Sequence, residues 1–249
     1  MIDIHTHILP GLDDGSPDML CSVEMADLAA GSGVTDIIAT PHFAPVIFGD
    51  NTKTLVMSQL ETLKKEISVL NVELELYAGM EVFGTEDVPA FYKDGLLLTL
   101  NSTKYLLIEF DFDADTEYMR RILYELLDAG CIPIVAHPER YTALQDRPRA
   151  AGSWLQAGIG LQLNKGSFLG RFGRDARLLA HHMLENGMVT CIASDAHGSQ
   201  VRTTDMTDIE EYITIKYDES LTGLLLDENP GRILNGKPFI KPGSHRQFI

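Results

Sequence analysis

Ile2-Asp3-Ile4-His5-Thr6-His7 opens the chain as a short apolar run that delivers two imidazoles. Side chains alternate with period two along a strand, so both rings fall on one face. Alone, a His-x-His pair is as often a polar strand end as a ligand pair. Its meaning depends on what the other strands deliver. Asp36–Thr40 runs into Pro41-His42, Glu73–Ala78 into Gly79-Met80-Glu81, and Tyr105–Phe110 carries Glu109 near its end. Ile132–Ala136 runs into His137-Pro138-Glu139-Arg140, Gly160–Asn164 into Lys165, and Val189–Ala193 into Ser194-Asp195-Ala196-His197. These runs are mostly apolar, as expected of parallel strands covered on both faces.

Helical patterns fill the gaps. Ser16-Pro17 offers an N-cap and a first-turn proline, Leu20, Val23, Ala26 and Ala30 continue one face, and Gly31 or Gly33 can end the helix. Val56, Leu60, Leu63, Ile67 and Leu70 keep a three-to-four spacing, and Tyr118–Leu127, Ala176–Leu184, Ile209–Ile215 and Leu221–Leu226 follow suit. The alternation of strand and helix predicts an α/β fold with parallel strands, either a barrel of seven or eight units or an open doubly wound sheet. Periodicity does not separate the two. One domain over residues 1–249 suffices, with Lys237–Ile249 as a loosely held tail.

Six of the seven expected strands end in His, Asp or Glu. In a barrel those ends converge on one face. A single Glu81 or Glu109 there is more often a helix cap or ion-pair partner, and a single His42 or His137 a hydrogen-bonded turn residue. Together they form a concentration of buried carboxylates that requires compensating cations, because an unpaired buried charge costs several kcal/mol. Imidazole and carboxylate without thiolate suit Mn²⁺, Fe²⁺ or catalytic Zn²⁺ rather than structural zinc. Arg140, beside the His137 loop, is a candidate to hold an anionic substrate; the alternative is a surface ion pair.

The totals exclude several classes. The formal charge of −16, from 20 basic and 36 acidic residues, disfavours nucleic acid and anionic membrane as partners. No apolar run reaches the roughly 18 residues of a membrane span, and the N-terminus lacks the pattern of a secretion signal. Three widely spaced cysteines, Cys21, Cys131 and Cys191, fit reduced thiols in a cytoplasmic protein. None is followed six residues on by arginine, so the cysteine-phosphatase loop is absent. His181, His182 and His245 are assigned no function.

The sequence resembles the PHP (polymerase and histidinol phosphatase) superfamily, and within it the manganese-dependent protein-tyrosine phosphatases of bacterial capsular-polysaccharide biosynthesis. The resemblance is carried by Met1–His7, Leu12-Asp13-Asp14-Gly15, Thr40-Pro41-His42, Ala78-Gly79-Met80-Glu81, Leu107-Ile108-Glu109, Ala136–Tyr141, Ala193–His197, Asn229-Pro230 and Ile233–Gly236. It extends from about Met1 to Pro238. Asp-Asp-Gly near the start and His-Pro-Glu-Arg-Tyr are its specific elements. It implies a distorted TIM-like (β/α)7 barrel holding three divalent metal ions, with Mn²⁺ the first expectation. His5, His7, Glu81 and Asp195 would hold one ion, Glu81, Glu109 and His137 a second, and Asp14, His42 and His197 the third. Superfamily relatives often place histidine where this chain has Asp14 and Glu109, and the capsular branch has the carboxylates. Some branch members carry basic residues where this chain has Phe43-Ala44-Pro45.

The implied activity is hydrolysis of a phosphate monoester by metal-activated water, with Arg140 and Arg202 on the phosphoryl oxygens. The implied partner is a tyrosine-phosphorylated bacterial protein such as the tail of a capsule-assembly kinase. Another PHP phosphoesterase, acting on histidinol phosphate or a nucleotide, is the alternative. Amidohydrolase-type C–N hydrolysis would call for a carboxylated lysine, for which Lys165 alone sits at a strand end. A non-catalytic metal-stabilised binding protein is opposed by the retention of every ligand position.

Overall fold

The computed structural model describes residues 1–44, 51–241 and 243. In chain order the elements are β1 (Ile2–Thr6), α1 (Met19–Gly31), β2 (Asp36–Ala39), β3 (His42–Phe43), α2 (Lys53–Val69), β4 (Glu75–Ala78), β5 (Glu81–Phe83), α3 (Val88–Lys93), β6 (Tyr105–Glu109) and α4 (Thr116–Asp128). They continue with β7 (Ile132–Ala136), α5 (Thr142–Asp146), α6 (Arg149–Ala157), β8 (Gly160–Asn164), α7 (Lys165–Phe168), α8 (Arg174–Glu185), β9 (Cys191–Ala193), α9 (Thr207–Lys216), α10 (Glu219–Gly223) and α11 (Asn229–Leu234). Pro45 and His245 lie outside the described residues.

Every strand pairing is parallel. The strands form two sheets, β1-β2-β4 and β3-β5-β6-β7-β8-β9. Among the described residues the ladder is therefore not one closed ring. Two breaks separate the sheets. Thr40-Pro41 lies between β2 and β3, where proline has no N–H to donate, and Gly79-Met80 lies between β4 and β5. At the other side a parallel bridge joins Thr6 to Ala196, with His7 N–H donating to the Ala196 carbonyl at 2.9 Å. That bridge brings the ends of β1 and β9 side by side.

The longer helices bury one face each. On α2 the buried residues are Val56, Leu60, Leu63 and Ile67 at three-to-four spacing. Truncating one of these leucines to alanine would cost about 2–5 kcal/mol. Leu70, expected on the same face, caps α2 and is exposed. The start of α1 also differs from expectation. Asp18, not Ser16, is the N-cap, its carboxylate accepting from Cys21 N–H at 2.9 Å. Ser16 is diverted into contacts with the Ser22 hydroxyl and the Asp18 carbonyl. The buried face is consequently Ser22, Met25, Ala26 and Ala29, which leaves Leu20 69 % exposed.

Lys237–Lys241 is not loose. The Asn229 side chain accepts from Ile240 N–H at 2.7 Å and donates to its carbonyl at 2.8 Å, and Tyr105 Oη donates to the Lys237 carbonyl at 2.8 Å.

Candidate metal centre

The nine sequence-predicted metal ligands meet in one cluster. His5 and His7 leave the end of β1, and their Nε2 atoms face each other at 3.2 Å. Glu81 opens β5 and sits in register beside His42 of β3. Its Oε2 is 3.2 Å from His5 Nε2, His7 Nε2 and His42 Nδ1, while its Oε1 is 3.0 Å from His137 Nε2. Glu109 at the end of β6 lies 2.9 Å from His42 Nδ1 and 3.8 Å from His137 Nε2. Asp195 Oδ1 is 3.4 Å from His5, 3.5 Å from His7 and 3.6 Å from His197. Asp14, half-exposed at the rim, is 3.4 Å from His42 and 3.5 Å from His197. Donors bound at about 2.1 Å to one ion stand roughly 3 Å apart, so these separations suit shared cations.

The ligand atoms fall into three overlapping groups: His5, His7 and Glu81; His42, Glu81 and Glu109; and His7, Asp14, His42 and His197. This grouping gives His7 and His42 more neighbours than the sequence-based partition does, while His137 and Asp195 join through the contacts above.

Three buried side chains that sequence reasoning left without a role fix the imidazoles from behind. His7 Nδ1 is 2.7 Å from Asp13 Oδ2, an acceptor that also takes the His42 backbone N–H at 2.9 Å. His5 Nδ1 is 2.8 Å from Gln162 Oε1. Gln162 Nε2 in turn donates to Asn164 Oδ1 at 2.9 Å, and Asn164 Nδ2 donates to Asp195 Oδ2 at 2.5 Å. With acceptors behind them, both rings can keep a proton on Nδ1 and offer Nε2 to a cation bound in the cluster. Two such nitrogens 3.2 Å apart, beside carboxylate oxygens, want a cation between them. The donor set thus fits divalent metal.

Gly15 makes room for this arrangement. A Cβ there would come within 2.3 Å of both the His7 Cβ and the His7 carbonyl oxygen. Signals for the backing groups existed in Asp13-Asp14-Gly15 and in the polar Gln162 and Asn164 alternating along an otherwise apolar strand.

The electrostatics agree. Burial opposes charge on His5, yet Glu81 and Asp195 outweigh it and raise its pKa. For His7, Asp13 outweighs burial and holds the ring well above its ordinary value. His42 is pushed to about 10 against burial, by Glu81 and by hydrogen bonds to Asp14 and Glu109. Burial works against ionised Glu81 and Asp195 as well, but the histidines hold both well below the usual carboxylate range. Hydrogen bonds from His197 and His42 lower Asp14. The cluster draws positive charge. His137, Asp195 and Arg202 also adopt positive φ (36°, 50° and 50°), strained for non-glycine residues at about 1–3 kcal/mol each.

Both predicted arginines are at this mouth. Arg202 Nη2 is 2.6 Å from Asp195 Oδ2, and Arg140 Nη1 is 3.7 Å from the same oxygen. Glu139, between His137 and Arg140, is buried and accepts from Asn164 N–H at 2.9 Å and Ser167 Oγ at 2.7 Å, a bracing role. Lys165 directs its ammonium to the Asp205 carbonyl and to Asp208, 3.6 Å away, rather than to the ligand cluster. The three cysteines are free thiols.

Residues 1–235 match the family described as capsular polysaccharide synthesis, CpsB/CapC. The chain belongs to this family. Among its relatives, the tyrosine-protein phosphatase YwqE of Bacillus subtilis is 33 % identical over 241 residues, covering 97 % of this chain and 94 % of that protein. The tyrosine-protein phosphatase CpsB of Streptococcus agalactiae is 28 % identical over 243 residues, covering 94 % and 98 %. A solved structure from work on B. subtilis YwqE and Streptococcus pneumoniae CpsB, described as metal-dependent tyrosine phosphatases, superposes with a TM-score of 0.91 at 31 % identity, over 99 % of this chain and 100 % of that one. A β-aspartyl dipeptidase of Fervidobacterium islandicum AW-1, 15 % identical with a TM-score of 0.56 over 98 % of this chain and 78 % of its own, shares the fold alone. The CpsB/CapC chain thus has a parallel α/β architecture shared with both of these structures. No described helix is long and apolar enough to cross a membrane.

Proposed function

We propose that this CpsB/CapC chain is a metal-dependent protein-tyrosine phosphatase, hydrolysing phosphotyrosine on a protein such as the tail of a capsule-assembly or exopolysaccharide-regulating kinase. The observation that carries the reading is the His5–His7 pair, fixed from behind by acceptors and facing Glu81 and Asp195. Relatives named as tyrosine-protein phosphatases over almost the whole chain support the same chemistry. We propose further that residues 1–249 are one cytoplasmic catalytic domain. Its seven strand positions, counting β2 with β3 and β4 with β5, make a distorted barrel.

Three divalent cations, Mn²⁺ first and Fe²⁺ or Zn²⁺ as alternatives, suit the donors. In this reading His5, His7, Glu81 and Asp195 hold one, Glu81, Glu109 and His137 a second, and Asp14, His42 and His197 a third. When bound, such ions supply Lewis acidity and a water acidified toward neutral pH. The chain's own residues do the rest. Arg140 and Arg202 hold the phosphoryl oxygens with charge-assisted hydrogen bonds as negative charge builds. Asp13 and Gln162 keep the ring protons of His7 and His5 on Nδ1. Phenolate is a good leaving group, so little proton donation is needed from the protein.

Lys165, engaged with Asp205 and Asp208, is not disposed for the carboxylated-lysine role of C–N hydrolases. The test is turnover of a phosphotyrosine peptide beside phosphoserine peptide, histidinol phosphate and a dinucleotide, before and after chelation. Activity concentrated on phosphotyrosine, lost on chelation and restored by Mn²⁺, is expected. Full activity in metal-free protein would falsify the reading.

A further inference from the structure

Arg140 is held between two aromatic rings. Its Cζ lies 4.3 Å from the ring centroid of Phe112 and 4.3 Å from that of Phe172. Phe172 is also 5.6 Å from Arg202 Cζ. Neither ring is an ordinary core residue. Phe112 is 41 % exposed and Phe172 half-buried, both beside the mouth of the ligand cluster. Phe112 also packs 5.9 Å from the His137 ring.

The backbone around each ring is built to keep it there. The Phe112 carbonyl accepts from Thr142 N–H at 2.9 Å and from Thr142 Oγ1 at 3.1 Å, tying it to the loop that carries His137 and Arg140. Phe172 sits in a turn closed by Arg171 N–H donating to the Gly166 carbonyl at 2.9 Å. Gly170 and Gly173, at φ +80° and +92°, bend the chain on either side of it. A Cβ on Gly166 would approach Phe172 Cε2 to 2.8 Å, so the glycine leaves the space that the ring occupies.

A guanidinium stacked on aromatic faces keeps its N–H donors free in its own plane. An arginine side chain otherwise has many rotamers to lose on binding a phosphate. We propose that Phe112 and Phe172 are positioning residues, a clamp that fixes the plane of Arg140 so that its donor edge meets the substrate's phosphoryl group. This rests on the phosphatase reading above and adds to it two residues that act through Arg140.

The experiment compares Phe112 and Phe172 changed to Ala, Leu and Tyr, in the parent and in an Arg140→Ala background. Metal content, Tm, kcat and KM on a phosphotyrosine peptide, and inhibition by inorganic phosphate are measured on each. Each Ala change should lower kcat/KM about 3- to 30-fold at unchanged metal content. Phosphate should inhibit correspondingly less well. Tyr should restore the rate and Leu should not. In the Arg140→Ala background the Phe112 changes should cost less than about two-fold, because the group that ring holds is gone, and the Phe172 changes should cost less than in the parent, only the contact to Arg202 remaining. Equal losses in both backgrounds, or rescue by Leu as complete as by Tyr, would overturn the clamp. If an Ala variant fails to fold, the Leu and Tyr pair decides in its place. A metal-loaded parent inactive on phosphotyrosine sinks the phosphatase reading and the clamp with it. An active parent with additive phenylalanine and Arg140 effects sinks the clamp alone.

Discussion

His5 Nε2 and His7 Nε2 stand 3.2 Å apart, and behind each ring an acceptor occupies Nδ1, Gln162 for His5 and Asp13 for His7. Protonating both inner nitrogens would set two donors against each other, so the arrangement favours a cation over two protons. Asp13 is the charged member of the backing pair and also receives the His42 backbone N–H. Outer groups of this kind typically account for 10- to 100-fold in metal affinity. Asp13→Asn should therefore weaken Mn²⁺ binding by about that factor while the fold persists. Titration of metal-free protein with Mn²⁺ measures it. An unchanged affinity would mean that Asp13 serves only the loop.

Glu81 and Asp14 differ in how many imidazoles they serve. Glu81 touches four (His5, His7, His42 and His137), whereas Asp14 touches His42 and His197 from a half-exposed position. Glu81→Ala should lower bound metal by more than one ion and cut turnover at least about 100-fold; Asp14→Ala should lose one ion and less activity. Elemental analysis paired with kinetics on the two variants decides the matter. Equal metal stoichiometry in Glu81→Ala and the parent would contradict the shared-ligand assignment.

The two arginines should separate in the same assays. Arg202 is paired with Asp195 at 2.6 Å, whereas Arg140 stands 3.7 Å off and keeps its donors available. Arg140→Ala should slow kcat/KM by about 10- to 150-fold with metal content intact, since hydrogen bonds to charged groups contribute roughly 1.5–3 kcal/mol. Arg202→Ala should slow turnover and also weaken metal retention, because Asp195 then loses its nearest cation. Metal loss in the Arg140 variant instead would make that residue a structural partner.

The strand ends were legible because local chemistry writes them. Ile132–Ala136 and Gly160–Asn164 stand where the apolar runs place them, and the ligands at their tips follow. The short strands His42–Phe43 and Glu81–Phe83 were not legible, being too brief for any period to emerge. Yet their register sets His42 beside Glu81. The backing groups left a polar signal in the sequence but not their pairing, since Gln162 lies 157 residues from the histidine it orients. At α1, Ser16 and Asp18 are both competent caps; the pull of Ser22 on the Ser16 hydroxyl decided between them. The strand count left a barrel and an open sheet as alternatives; among the described residues the parallel strands form two sheets, and Pro41 lies where the ladder would pass from β2 into β3.

Thiol chemistry is absent from this scheme on physical grounds. Burial pushes the Cys131 thiol up to about 12 and Cys191 higher still, so neither forms thiolate near neutral pH. Replacing all three cysteines by alanine should leave kcat within about two-fold, with a stability loss of roughly 0.5–3 kcal/mol from the core positions. Abolished turnover in a folded, metal-loaded variant would point to a thiol nucleophile.

Acid sensitivity should have a component remote from the metal centre, at His181 on α8. Its Nε2 is 3.1 Å from Tyr212 Oη and its Nδ1 3.2 Å from Tyr217 Oη, with Lys216 Nζ 3.4 Å from the same nitrogen and Phe168 edge-on to the ring. Burial first, then the Lys216 and Arg177 charges, depress its pKa to about 4. In the unfolded chain a histidine titrates near 6.5. As pH falls from about 6.5 toward 4, the unfolded state therefore takes up this proton before the folded state does. The contribution of neutral His181 to stability is whole above the unfolded value and is lost as pH descends through that window. His181→Gln keeps hydrogen bonding to the tyrosines but does not titrate. Comparing Tm against pH for the two proteins cancels the acid response of the carboxylates that they share. The parent's advantage over the Gln variant should shrink steadily between about pH 6.5 and 4 and level off below. Parallel Tm curves across that window would show that His181 protonates as easily in the folded protein as in the unfolded chain.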